Sequence, residues 1–176
     1  MVSKVIRLSE LVLKTAVDRF HHVSLCFGHF NAIHPGHIRY FQTANHHGGQ
    51  LVIAVEGTNQ LPESERDVVF SEVDRAEALA ALSIVDYVVI LDTAPLEDLV
   101  QLIEPSALVL GKEFERERYT KVDPAVRWMR EYGGEVVYEA GETHYATTNI
   151  FGTQTELEKE RWDCLLYTSP SPRDRG

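Results

Sequence analysis

The sequence predicts an α/β fold, an open parallel sheet of about five strands with helices on both faces. Three observations predict it. Five short runs rich in Val, Ile and Leu recur along the chain, at residues 23–27, 50–56, 85–91, 107–110 and 135–138. These runs are dominated by apolar residues instead of alternating apolar and polar, as strands covered on both faces require. Segments with apolar residues at helical spacing lie between them, and strands alternating with helices make parallel, Rossmann-like units. A single domain of 176 residues is long enough to bury such a core.

Taken in order, residues 6–20 place Leu8, Leu11, Val12, Ala16, Val17 and Phe20 close to helical spacing, with Ser9 and Glu10 at the start. A helix packed on the sheet edge is expected there, with His21 and His22 in the loop before the first strand. After the strand at 23–27, a helix over residues 38–44 presents Ile38, Phe41 and Ala44. Asn45-His46-His47-Gly48-Gly49 stops it, and the paired imidazoles there read as carbonyl caps, with metal as the alternative. Residues 57–69 are polar, carry Pro62 and read as a mobile loop. Residues 70–82 read as a helix with Ser71 as N-cap and Ala76, Leu79, Ala80 and Leu82 facing inward. A helix through Leu96, Leu99, Val100 and Ile103 is ended by Pro105. Residues 114–119 are charged and irregular; Asp123-Pro124 then opens a helix through Val126, Trp128, Met129 and Tyr132, with Gly133-Gly134 as its stop.

The chemistry concentrates in residues 28–37, GHFNAIHPGH, between the first strand and the helix at 38–44. A helix start offers unpaired backbone N–H groups and the positive end of a dipole to a phosphate. Gly36 lets the backbone approach a ligand, and Pro35 suits a first helical turn. His34 and His37 stand three residues apart, so on that first turn they point the same way. Imidazoles there can donate to phosphate oxygens where charge builds up in phosphoryl or nucleotidyl transfer. Zinc is the competing use of such a pair, but it wants three or four ligands and the spacing supplies no third.

Residues 28–37 resemble the GxFDxxHxGH signature of the cytidylyltransferase-like nucleotidyltransferases. Within that group the chain is most similar to the adenylyltransferase half of bifunctional heptose-phosphate kinase/adenylyltransferases, and to nucleotidyltransferases fused ahead of a PfkB-type sugar kinase. Asn31 stands where the family usually has Asp. Arg75 matches the arginine of an RxxxL helix, a surface ion pair with Glu72 or Asp74 being the alternative use of its charge, and Gly111-Lys112-Glu113-Phe114 resembles a GxDF turn with Glu113 in place of Asp. Ala146-Thr147-Thr148 resembles a closing STT motif with its Ser replaced. The loop that in the family brings a lysine to the phosphates has Arg66 as its one cation.

The resemblance implies transfer of AMP or CMP from a nucleoside triphosphate to a sugar phosphate, with release of pyrophosphate, for activated-sugar or cell-envelope glycan synthesis. His34 and His37 are implied as catalytic. Phe27, Gly28, His29, Phe30, Gly36, Gly111, Thr147 and Thr148 are implied in nucleotide binding, and Asn31, Arg66, Arg75, Lys112 and Glu113 in holding acceptor or phosphate. Mg2+ is expected to arrive with the triphosphate, no dedicated metal ligands being seen. The resemblance allows a homodimer and a fused sugar kinase domain. Two other readings stay open: a CTP-dependent glycerol-phosphate or phospho-alcohol cytidylyltransferase, and a non-catalytic nucleotide-binding regulatory module.

Composition narrows the partners. Lys and Arg number 17 against 27 Asp and Glu, a formal net charge of −10 at pH 7. So acidic a chain argues against non-specific binding to nucleic acid or anionic membrane. Cys26 and Cys164 make no disulfide framework, and no run is long enough to span a bilayer, so a cytoplasmic setting is expected. Residues 164–174 resemble one translated frame of a sequencing adapter, so residues 164–176 are expected to lie outside the natural protein. The nucleotidyltransferase domain is expected over residues 1–153, with residues 154–163 beginning a connector to a missing C-terminal region.

Overall fold

All five apolar runs form strands, and a sixth strand joins them at the edge. β1 (Val5–Arg7), β2 (Val23–Gly28), β3 (Gln50–Val55), β4 (Tyr87–Ile90), β5 (Ala107–Gly111) and β6 (Glu135–Glu139) make one parallel sheet in the order β1-β4-β3-β2-β5-β6. The computed structural model describes residues 3–13, 20–116 and 121–139. The expected domain boundary at residue 153, and everything beyond it, lies outside them.

Seven helices occur among the described residues: α1 (Leu8–Leu13), α2 (Pro35–His46), α3 (Glu63–Arg66), α4 (Glu72–Ala80), α5 (Leu96–Ile103), α6 (Glu113–Arg116) and α7 (Asp123–Tyr132). Because strand side chains alternate between faces, each apolar run feeds two cores. Leu25, Phe27, Val52, Ala54, Val89, Leu108 and Leu110 belong to one, with Leu11 of α1, Leu99 of α5 and Met129 of α7. Cys26, Leu51, Ile53, Val55, Val88, Ile90 and Val109 belong to the other, with Phe41 and Ala44 of α2 and Leu79 of α4. Phe41 is wholly buried, and truncating such a ring to Ala costs about 3–5 kcal/mol. That contact holds α2, and with it the residues at its N-terminus, against the sheet.

The N-terminal segment corrects the expectation of one helix over residues 6–20. Val5–Arg7 instead pairs with Val88, Val89 and Ile90 of β4, and α1 starts only at Leu8. Parallel pairing on the exposed edge of β4 outweighs the helical spacing at Ile6. Leu8 and Leu11 are buried as the spacing implies, whereas Val12 is 65% exposed. Residues 14–19 lie outside the described residues.

Residues 57–69 also carry more order than a polar loop needs. A 3-10 turn at Thr58–Gln60 and the short α3 occupy the stretch. The Gln60 side chain accepts from Gly57 N–H (3.2 Å) and donates to the Ala94 carbonyl (2.7 Å), fastening the turn to the loop after β4. At the other end of α2, His47 takes the C-cap position through its backbone, whose N–H donates to the Ala44 carbonyl (3.1 Å), while its Nδ1 lies 3.2 Å from Glu135 Oε2; the ring is thus an ion-pair partner of β6 and not the carbonyl cap the sequence suggests.

Candidate active site

β2 sends its connection through α2 to β3 on one side, and β5 sends its own through α6 and α7 to β6 on the other. Diverging connections leave a crevice outside the carboxyl ends of the strands, the place where open α/β sheets take ligands. The ladder shows where it opens. β2 stays paired with β3 as far as Gly28 and Val55, but with β5 only as far as Cys26 and Val109. The Tyr40 hydroxyl of α2 fills the gap, accepting from the Phe27 N–H (3.4 Å) and donating to the Val109 carbonyl. The sequence reading missed Tyr40; its signal was a hydroxyl on the buried side of the signature helix. Beneath it the Cys26 thiol is pushed up to about 12 by burial, with the Tyr40 bond pulling the other way. It is an inert core group.

The signature turn runs from the end of β2 into α2. Phe30 takes a left-handed backbone, φ 48°, and folds its ring back over Gly28, where a Cβ would lie 3.0 Å from it. A side chain at position 28 would have to push that ring aside. Pro35 occupies the first turn of α2 and His34 is the N-cap, its Nδ1 accepting from the Gly36 N–H at 3.1 Å. A Cβ at residue 36 would meet that ring at 2.8 Å, so Gly36 is what lets the imidazole fold onto the helix start. With Nδ1 accepting, a neutral His34 carries its proton on Nε2 and can present it as a donor.

The two histidine rings stack, with centroids 3.8 Å apart at 24°. Phe30 packs edge-on against His37 at 5.1 Å. Burial lowers the His37 pKa to about 4, His34 and His29 push it the same way, and the Ala32 carbonyl works against them. His37 is therefore neutral at pH 7, and its buried Nδ1 has no hydrogen-bond partner among the described residues. An arriving phosphate would raise that pKa by the charge it brings.

The neighbouring bank, across the ends of β3 and β4, is built differently. Arg75 of α4 is only 2% exposed, not the surface group its sequence position allowed. Its Nε donates to the Phe70 carbonyl (2.9 Å), Nη1 to the His29 carbonyl and Nη2 to Thr58 Oγ1 (3.2 Å). Burial pulls its pKa down, while Glu72 and Glu56 hold it up. Thr58 donates in turn to Glu72, and that hydrogen bond is the main cause holding the Glu72 carboxyl below its usual range. Asn31, 9% exposed, accepts the Phe70 N–H on its Oδ1 at 2.7 Å. Arg66 folds back onto the carbonyls of Leu61 and Asn59, both at 2.9 Å.

The structure thus gathers Gly28, His29, Phe30, Asn31, His34, Gly36 and His37 in one turn. Gly111 ends β5 on the far side of the splay, and Lys112, exposed, follows it. Glu113 opens α6 directly after. Phe27 is buried against Phe114, ring centroids 5.7 Å apart, and so lies beneath the crevice floor. Thr147 and Thr148 fall outside the described residues. A pair the sequence reading did not single out stands beside Gly28: Glu56, whose N–H donates to the Gly28 carbonyl (3.0 Å), and Lys121, whose Nζ donates to Glu56 Oε1 at 2.5 Å. Among the described residues no group of three or more His, Cys, Asp or Glu is placed to hold a metal ion, and no helix is long and apolar enough to cross a membrane.

Comparison with known proteins meets this geometry. The cytidylyltransferase-like family model matches residues 25–152. The bifunctional protein HldE of Hyphomonas neptunium is 33% identical over 125 residues, 70% of this chain and 25% of that protein. Its counterpart in Histophilus somni is 30% identical over 158 residues, 86% of this chain and 32% of that protein. The chain therefore spans about a quarter to a third of the length of these relatives. Among solved structures, a lipopolysaccharide core biosynthesis protein from Thermoplasma volcanium shares the fold at TM-score 0.53 and 20% identity, covering 66% of this chain and 92% of that one. A pantoate-beta-alanine ligase from Francisella tularensis shares it at TM-score 0.52 and 12% identity, covering 78% of this chain and 67% of that one. Signature turn, splayed strands and matched span agree: this chain is a nucleotidyltransferase of the cytidylyltransferase-like family.

Proposed function

We propose that this nucleotidyltransferase transfers AMP or CMP from a nucleoside triphosphate to a sugar phosphate in the cytoplasm, releasing pyrophosphate, for the synthesis of activated sugars used in cell-envelope glycans. The observation that carries the reading is the stacked His34–His37 pair at the N-terminus of α2, beside the opening between β2 and β5. The likeness to HldE proteins over 70% of the chain supports a sugar-phosphate acceptor.

In this reading an oxygen of the acceptor phosphate attacks the α-phosphorus in line. The new P–O bond forms as the bond from the α-phosphorus to the bridging oxygen breaks, and pyrophosphate leaves with that electron pair. A phosphate monoester is already ionised near neutral pH, so the residues need supply no strong base. Their work is positioning and charge stabilisation. His34 donates from Nε2 to the transferring phosphate; His37, whose one proton faces the Ala32 carbonyl, donates from Nδ1 once the arriving charge draws a second proton onto the ring, and the α2 dipole adds its positive end. Mg2+ would arrive with the nucleotide and would supply charge neutralisation at its phosphates, no cluster of three or more His, Cys, Asp or Glu among the described residues being placed to hold it. The family resemblance assigns the β and γ phosphates to Thr147 and Thr148, and nucleotide or acceptor to Lys112 and Glu113.

The test is pyrophosphate release with ATP and CTP in parallel, against a panel of sugar 1-phosphates and polyol phosphates, with a His37→Ala control. Release that needs one triphosphate and one sugar phosphate, and is lost in the control, supports the proposal. Release with CTP and a polyol phosphate moves the assignment to a phospho-alcohol cytidylyltransferase. Nucleotide binding without release from any pair makes this chain a non-catalytic module.

A further inference from the structure

Glu56 and Lys121 are the one cross-crevice ion pair among the described residues, and nothing in the signature calls for them. Glu56 follows β3, whereas Lys121 arrives from the β5 side just before α7, so their contact passes over the end of β2 where Gly28 begins the turn. The pair is unequal. The Glu56 side chain is 5% exposed and that of Lys121 44%. A pair serving only as an internal brace would bury both partners; here the carboxylate is sunk and the ammonium keeps donors turned to solvent.

Charge bookkeeping around the turn gives the lysine its use. A triphosphate brings several negative charges to a place where His37 is neutral, Arg75 is committed to His29, Phe70 and Thr58, and Arg66 to its own loop, leaving Lys112, exposed after β5, to share the load with Lys121. The buried Glu56 carboxylate beside Gly28 would repel that anion unless a cation masked it. Lys121 does the masking and, on a flexible stem with donors to spare, reaches the anion as well.

We propose that Lys121 is a phosphate-contacting residue of this site, held over the crevice by Glu56 and shared with the triphosphate when it binds. The proposal rests on the nucleotidyltransferase reading for its ligand. Without ligand Glu56 keeps the ammonium in place; with ligand the ammonium turns its outer donors to phosphate oxygens. Glu56 thereby competes for the lysine as well as storing it.

The experiment is calorimetric titration of the full chain with inorganic tripolyphosphate and, separately, with ATP and CTP. Lys121→Met is expected to weaken tripolyphosphate about tenfold, the effect of losing one charge-assisted contact, while Lys121→Arg stays within about threefold of the parent. Glu56→Gln, which removes the competitor and keeps an acceptor, is expected to tighten tripolyphosphate severalfold, and this variant decides the matter if Lys121→Met does not fold. Unchanged affinity in Lys121→Met, or in Glu56→Gln no gain or a loss, overturns the proposal and leaves the nucleotidyltransferase reading standing. A parent chain that binds tripolyphosphate through Lys121 but no nucleotide sinks that reading and keeps the lysine. Binding of neither anion by the parent overturns both.

Discussion

The two banks of the crevice use similar residues to opposite ends. On the β3–β4 bank, Arg75, Thr58 and Glu72 spend their polar atoms on one another and on nearby backbone. On the β2 bank, His34 and His37 stack at a helix start, and His37 keeps a buried ring nitrogen with no partner among the described residues. A charged or polar side chain at a strand end is thus a brace or a ligand-binding group according to whether the fold already satisfies it. Burial alone does not separate the two, since Arg75 is more buried than either histidine.

The largest expected effect tests the braced bank. Arg75→Leu strands the carbonyls of His29 and Phe70 and should lower stability in urea unfolding by about 4 kcal/mol, as breaking a buried charged network does. A small stability loss with a large loss of phosphate affinity would move Arg75 to the ligand-binding bank. Next comes the acid limb of stability. His37 has its pKa lowered from 6.5 to about 4, so between those values the unfolded chain binds a proton that the folded chain refuses. Stability from this group is full above pH 6.5, falls as pH drops toward 4 and is level below it, a loss of about 3 kcal/mol. Comparing unfolding at pH 7.5 and 4 for the parent and His37→Gln should show that the variant lacks this part of the slope.

Removing His37 altogether should slow pyrophosphate release by about a hundredfold with the fold retained, the usual cost of one donor aimed at developing charge. If turnover survived His37→Ala, the open bank would lose its catalytic meaning. A smaller effect comes from Ser71→Ala, which deletes the cap on the Asp74 N–H at the start of α4 and should cost about 1 kcal/mol in thermal unfolding. Smallest of all, Arg66→Ala at the exposed end of α3 should change stability by under about 0.5 kcal/mol. A much larger loss would mean that residues 57–69 brace the site as Arg75 does.

Much of this was legible along the chain. Five of the strands, the cap at Ser71 and the turn that unites His34, Gly36 and His37 are all marked by residue patterns a few positions long, which a sequence records well. β1 was not legible, because three residues become a strand only when β4 offers them an edge. Arg75 could be read as a surface ion pair or as a phosphate contact; its actual acceptors, at residues 29, 58 and 70, come together only through the fold. Glu56 and Lys121 lie 65 positions apart, and no periodicity links them.

By itself, then, the sequence determined the alternation of strand and helix, the two-faced cores and the place of the signature at a strand-to-helix turn, since apolar period and turn chemistry are short-range properties. Tertiary structure alone decided where β2 and β5 part, that Tyr40 fills the gap, that His37 is held neutral, and which cations are already spent. Those outcomes depend on which groups the packed chain has taken out of water and which partners it has set beside them, and both are known only once distant segments meet.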